Sequence, residues 1–136
     1  SEQMIDQLNL RGSISIYGKL SPNELVHYYN EATMLVVPSL YEGFCIPALE
    51  SIACGTPVVD TSVGAIPEIV KTAGVIVSPG NSAELATGIQ TVLENRSYYL
   101  AETKKIQHRC KQNYAWPAVA YQTSAVYDKI LHHANH

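Results

Sequence analysis

The chain has 136 residues, the size of one ordinary domain. With 9 Lys and Arg against 12 Asp and Glu the formal charge is −3, 15% of residues are charged and 46% are hydrophobic. That composition supplies a core and excludes a disordered chain, and a slightly acidic sequence without a Lys/Arg cluster offers no nucleic-acid-binding face. The apolar stretches are short and broken by Pro, Gly or Glu. No membrane span is expected, because a span takes about 20 apolar residues. Ser1–Asp6 shows no basic region followed by an apolar one, so no signal peptide is expected either.

Met4 to Leu10 is helix-like. Ser13–Tyr17 alternates and is rich in β-formers, which predicts a strand ending at Gly18. Ser21, Pro22 and Glu24 form a capping box, opening a helix that runs to about Asn30. Met34–Val37 is a continuous apolar run of strand length, stopped by Pro38. A loop through Gly43 leads to a helix from about Ile46 to Cys54, closed by Gly55. Pro57–Asp60 reads as a strand, Ile66–Val70 as a short helix and Gly74–Val77 as a fourth strand. Asn81 and Glu84 form a second capping box. It opens a helix with apolar residues at 85, 86, 89, 92 and 93. Beyond it the chain is helical: Ser97 to about Asn113, then a helix opened by Pro117 with Val119, Thr123, Val126, Tyr127, Ile130 and Leu131 on one face. Strands alternating with helices predict an α/β fold, a Rossmann-like parallel sheet with helices on both faces. Ligands of such sheets bind beyond the carboxyl ends of the strands.

The three cysteines, at 45, 54 and 110, form no C-x-x-C pair. Neither a disulfide framework nor a zinc site is expected, and a reducing, cytoplasmic setting is the plain reading. Three of the five histidines lie in the last five residues, and none shows the H-E-x-x-H spacing. Asn95-Arg96-Ser97 is a glycosylation sequon of a kind that chance produces often. Tyr28, Tyr29, Tyr98 and Tyr99 read as packing residues in preference to a binding surface.

No Gly-rich phosphate cradle and no G-x-S-x-G elbow is present. One dense segment remains, Pro38 to Glu50. A buried strand ends there, Gly43 lets backbone approach a ligand, and a helix begins with Pro47 in its first turn. Free backbone N–H groups at a helix start attract oxyanions. Glu42 on the loop rim and Glu50 about one turn into the helix can both face one cleft. A carboxylate only accepts hydrogen bonds and suits vicinal hydroxyls, as on ribose or a sugar ring. Either Glu taken alone is equally a charge complementing the helix dipole or a solvated turn residue. Cys45 at the helix start would have a lowered thiol pKa, but no His lies near it in sequence to serve as a base.

The run Glu42-Gly43-Phe44-Cys45-Ile46-Pro47-Ala48-Leu49-Glu50-Ser51-Ile52-Ala53-Cys54-Gly55-Thr56-Pro57-Val58-Val59 resembles the E-G-F-G-[LI]-P-x-x-E-A-x-A-x-G-x-P-V-[VI] hallmark of the retaining nucleotide-sugar glycosyltransferases of family 4, in the two-Rossmann-domain GT-B class. Pro38-Ser39-Leu40, Gly64-Ala65-Ile66-Pro67-Glu68, Gly74-Val75-Ile76-Val77 and Tyr114-Ala115-Trp116 extend the resemblance over nearly the whole chain. Three positions depart: Cys45 for Gly, which puts a side chain near the sugar pocket, Ser51 for Ala, and Ala115 for Ser or Thr. By the resemblance, a strand and helix carrying a donor-clamping Arg and Lys, and an acceptor domain, are expected outside these 136 residues. The resemblance therefore implies that residues 1–136 are a partial, N-terminally incomplete C-terminal domain, one half of a GT-B architecture, with residues 97–136 as its C-terminal helices.

What the resemblance implies for the site is specific. Glu50 would take the ribose hydroxyls, and Glu42, the catalytic residue, the donor-sugar hydroxyls. Backbone N–H groups at Gly43, Phe44 and Cys45 would face the sugar, and the chain at Ile46 and Pro47 the ribose and phosphates. Gly18, Lys19 and Leu20 would lie against the base, with Lys19 reaching solvent. The partners implied are a nucleotide sugar (UDP first, GDP next) and the acceptor domain of the same longer chain. That longer chain would transfer a hexose with retention and without metal or other cofactor, and peripheral membrane association stays open for it. The chain alone would be inactive, and the last helix would pack between the two domains. Two other readings remain: a non-catalytic Rossmann-like module binding a nucleotide or a protein, and an epimerase of the same two-domain class.

Overall fold

The computed structural model describes residues 2–70 and 72–133, the last two by backbone alone. Residues 134–136, the end of the expected C-terminal helical stretch, lie outside them. Along the chain run α1 (Glu2–Gln7), α2 (Pro22–Glu31), β1 (Leu35–Val37), α3 (Ile46–Cys54), β2 (Val58–Thr61), α4 (Ile66–Val70), β3 (Gly74–Val77), α5 (Ser82–Glu94), α6 (Arg96–Tyr114) and α7 (Trp116–His133). The strands form one parallel sheet in the order β1-β2-β3. Leu35 pairs with Val58 and Val58 with Gly74, and the register continues through Val37, Asp60 and Ile76. The central strand β2 is buried at every position, because both its neighbours and both its faces are covered.

The period-two alternation of strands divides the core. Val58 faces a cluster built from Ala48 and Ile52 of α3, Ile66, Ile69 and Val70 of α4, and Cys110 of α6. The opposite face carries Val59, Val75 and Val77 and meets α5. The approach there is close at Gly88, where a Cβ would stand 3.1 Å from Cγ1 of both Val59 and Val77. Helices therefore cover both faces, as expected. Gly88 also explains a shift in α5: Gly88 and Val92 are its buried residues, and Leu93, expected on the inner face, is 53% exposed.

The caps follow the sequence. The Ser21 hydroxyl accepts from the Glu24 N–H, and Glu24 Oε2 accepts from the Ser21 N–H at 2.8 Å. Asn81 Oδ1 accepts from the Glu84 N–H at 3.1 Å, while Glu84 reaches one turn further back, to the Ser78 N–H at 2.8 Å. Gly55 closes α3 at φ 92°.

The expected first strand is the correction. Ser13–Tyr17 has no partner in the sheet, which has three strands and not four. Its Ile16 and Tyr17 are exposed, and α1 before it buries no residue. An alternating pattern makes a segment able to be a strand, but only a neighbouring edge makes it one.

Candidate functional site

The chain leaves the carboxyl end of β1 at Pro38 and returns at Ile46 as α3. This loop interlocks with the one that leaves β2. Thr61 Oγ1 donates to the Ser39 carbonyl at 2.7 Å, and the Ala65 N–H donates to the Gly43 carbonyl at 3.3 Å. Between them sits Gly64, at φ 52°, where a Cβ would lie 2.1 Å from the Glu42 carbonyl oxygen and 2.8 Å from that of Gly43. Only glycine tolerates both the conformation and the approach. Above Gly43 the space is open, since a Cβ there would meet nothing within 4 Å.

The two carboxylates have separate supports. Glu42, half-buried on the loop, accepts from the Ser39 hydroxyl at Oε1, 3.4 Å away. Glu50, one turn into α3, is exposed and accepts from the Tyr29 hydroxyl at Oε2, 3.1 Å away. Tyr29 comes from α2, so the helix opened by the Ser21 capping box delivers the partner of Glu50. Burial, helped by the charge of Glu50, pushes the Tyr29 phenol up to about 12. It stays protonated, and so a donor, throughout the neutral range.

Cys45 is the N-cap residue of α3, in the left-handed conformation with φ 56°. Its side chain, which the sequence left as an addition to the ligand side of the loop, faces the interior. It is 2% exposed and turns down into the core, where Sγ donates to Asp60 Oδ2 at 3.5 Å. Asp60 is fully buried, and its Oδ1 accepts from the Thr61 N–H at 2.7 Å. Burial raises the Asp60 pKa, and the charge of Glu42 adds to the effect. Burial also pushes the Cys45 thiol up to about 11, the opposite of the lowering expected at a helix start.

Phe44 and Ile46 are exposed at the mouth of α3, and the Phe44 ring meets that of Tyr114 edge-on, centroids 5.6 Å apart. Together with Leu49, Glu50, Trp116 and Val119 they line a groove of about 580 Å³. Glu42 is not among its lining residues. Pro47 follows Ile46 in the first turn of α3. Gly18, Lys19 and Leu20 lie in the loop before α2, next to the contact of Tyr17 with Tyr28, whose ring centroids are 4.9 Å apart. Among the described residues no three His, Cys, Asp or Glu side chains gather into a metal-binding group. No described helix is long and apolar enough to cross a membrane.

The geometry adds residues that sequence reasoning missed: Tyr29, Ser39, Asp60, Thr61 and Gly64. One of them had a signal. Asp60 is a lone charge in an otherwise apolar strand, and such a residue needs a buried partner.

The model of the family "Glycosyl transferases group 1" matches residues 1–115. The chain belongs to this family. Among curated relatives, an MMP alpha-(1->4)-mannosyltransferase of Mycolicibacterium hassiacum is 33% identical over 134 residues, covering 96% of this chain and 33% of the relative. The O-antigen chain mannosyltransferase B of Escherichia coli is 32% identical over 129 residues, covering 95% of this chain and 33% of the relative. The solved sucrose-phosphate synthase from Thermosynechococcus elongatus superposes with a TM-score of 0.85 at 31% identity, over 96% of this chain and 33% of that one. The fold is thus the Rossmann-like fold of a GT-B glycosyltransferase. The chain spans about a third of the length of these relatives. In this family member, the Glu42–Glu50 unit lies where an open parallel sheet presents ligands, at the carboxyl edge of its strands.

Proposed function

We propose that this chain is the donor-binding part of a retaining, family 4 hexosyltransferase, and that the whole protein transfers a sugar from a nucleotide sugar, UDP-linked in preference to GDP-linked, to an acceptor hydroxyl. One observation carries the reading: two carboxylates on one loop-helix unit, each held by its own hydroxyl donor, beside an open glycine and a helix start. Glu50 accepts from the ribose diol. Glu42 accepts from hydroxyls of the donor sugar, and the N–H groups of Gly43, Phe44 and Cys45 face that sugar. The helix start at Ile46 and Pro47 favours the negative pyrophosphate through its dipole, and Gly18, Lys19 and Leu20 form the base side.

The reaction breaks the bond from the anomeric carbon to the diphosphate oxygen and forms one to the acceptor oxygen. The acceptor proton is released, and the nucleoside diphosphate departs with its electron pair. Stabilising that leaving charge is the main demand on the site. Helix N-termini and cationic groups of the whole protein carry that task without a metal. The acceptor domain belongs to the same longer chain, where closure of the two halves excludes water and completes the site. A cytoplasmic setting fits nucleotide-sugar chemistry.

Saturation-transfer NMR of the chain against UDP- and GDP-sugars tests the reading. Signals from the ribose and sugar protons of one donor are expected. Silence across the panel overturns it and favours a partner-binding module.

A further inference from the structure

Glu50 is exposed, yet its carboxylate is not free to wander. The Tyr29 hydroxyl donates to Oε2 at 3.1 Å, from a ring that is itself 9% exposed and therefore fixed by packing. The backbone of Tyr29 is tied as well. Its carbonyl accepts from Thr56 Oγ1, and the Thr56 carbonyl accepts from Ser51 Oγ at 3.1 Å. Ser51 is the residue after Glu50 on α3. The bonds close a circuit from α3 through the β2 approach to α2 and back to the Glu50 carboxylate.

We propose that Tyr29 is a positioning residue of the nucleotide site: its phenol fixes the rotamer in which Glu50 meets the ribose diol. The inference rests on the reading of Glu50 as the ribose acceptor. A carboxylate has about four lone-pair sites. Tyr29 occupies one, and a diol needs two, so the tether orients Glu50 without using up its capacity. An untethered Glu has to give up rotamer freedom when the ligand arrives. With Tyr29 in place that ordering is complete before binding.

The experiment is a double-mutant cycle in the whole natural protein, titrated calorimetrically with UDP and with GDP. Tyr29→Phe keeps the packed ring and removes only the donor. It is expected to weaken the better-bound nucleotide about 3- to 10-fold, or about 0.7–1.4 kcal/mol at 1.4 kcal/mol per tenfold. Glu50→Ala is expected to weaken it more. In the Glu50→Ala background Tyr29→Phe is expected to cost nothing further, because the group it orients is gone. Thr56→Val opens the circuit away from both side chains and is expected to act in the same direction by a smaller factor, which keeps the test open should Tyr29→Phe fold poorly. Equal losses from Tyr29→Phe with and without Glu50 overturn the inference, since the tyrosine would then act on the fold alone. Wild-type affinity in both Tyr29→Phe and Thr56→Val, with Glu50→Ala weakened, overturns it while leaving the ribose role standing. Wild-type affinity in Glu50→Ala removes the ribose role, and the inference with it.

Discussion

Cys45 turns its thiol inward, and that choice governs the chemistry of the loop around it. At φ 56° it occupies a backbone conformation that L-residues enter at a cost of about 1–2 kcal/mol, and the bond to Asp60 offsets part of this. Asp60 in turn is a buried acid with few donors, so its raised pKa has a stability consequence. The folded state holds the Asp60 proton to higher pH than the unfolded chain does. Between the two values the native state binds more protons, so this group's contribution to stability falls as pH rises. Glu24, Glu84 and Glu102 have lowered values and act in the opposite direction. Subtraction isolates Asp60: the stability of wild type minus that of Asp60→Asn, from urea midpoints at pH 3.5 to 7 (a range of about 3 to 4 units spanning ordinary carboxylates), should decline as pH rises. A difference independent of pH would show that Asp60 titrates as it does in the unfolded chain. At Glu50 the expected effect is on binding. Hydrogen bonds to charged groups contribute about 1.5–3 kcal/mol, so Glu50→Gln should weaken the nucleoside diphosphate about 10- to 150-fold. Glu42→Gln should spare the free diphosphate and weaken the sugar-bearing donor. Calorimetry with both ligands separates the two, and equal losses everywhere would mean the two carboxylates are misassigned.

At the scale of elements, the site is an interlock of two loops, and Gly64 is its tightest point. Gly64→Ala would place Cβ 2.1 Å from the Glu42 carbonyl oxygen, so the loop bearing Glu42 must move. A stability loss of about 1–3 kcal/mol is expected, together with weakened binding of the sugar-bearing donor. Gly80 is the comparison. It too has positive φ, at 73°, but a Cβ there meets only the Leu40 side chain at 3.6 Å. Gly80→Ala should cost the backbone strain and leave donor binding intact. Chemical denaturation and titration of the pair would decide whether the contact or the conformation matters. The helices carry their own instructions. The box at Ser21, the Asn81 cap and the glycine at 55 were legible in the sequence, because caps are local hydrogen bonds between residues three or four apart. The expected second box is a cap alone, since Glu84 bonds the Ser78 backbone N–H and not that of Asn81.

Across the whole molecule the packing is uneven. The core lies between the sheet, α3, α4, α5 and α6, whereas α7 exposes Val126, Tyr127, Ile130 and Leu131. The expected apolar face of the last helix is present but uncovered by the described residues. Ile130→Glu with Leu131→Glu should therefore change the unfolding free energy of the 136-residue chain, from urea titration, by less than about 0.5 kcal/mol. Ile52→Ala, at a fully buried position under the sheet, should cost about 2–5 kcal/mol. A large loss from the α7 pair would mean that this helix packs on the chain in solution. The chain by itself is also expected to transfer no sugar, because the proposed mechanism needs an acceptor half. Turnover of a nucleotide sugar by the purified chain would overturn that expectation.

The sequence by itself determined the elements whose signals are local: α2 and α5 from their caps, α3 from Ile46 to Gly55, and the three apolar strands from composition and length. It also placed Glu42 and Glu50 on one loop-helix unit, because their spacing is a property of a single segment. Tertiary structure decided the rest. Ser13–Tyr17 had a strand's pattern and stayed unpaired, since hydrogen-bonding edges are not local. The direction of Cys45 was not local either, since its thiol turns into the core to meet Asp60, fifteen residues later. Tyr29 read as a packing aromatic until α2 brought its hydroxyl against Glu50, twenty-one residues away. Leu93 lost its inner position because α5 rests on Val59 and Val77 at Gly88, where a Cβ would stand 3.1 Å from both. A spacing of three or four residues is fixed by the chain itself, whereas a contact between distant residues exists only once the sheet has brought its helices together.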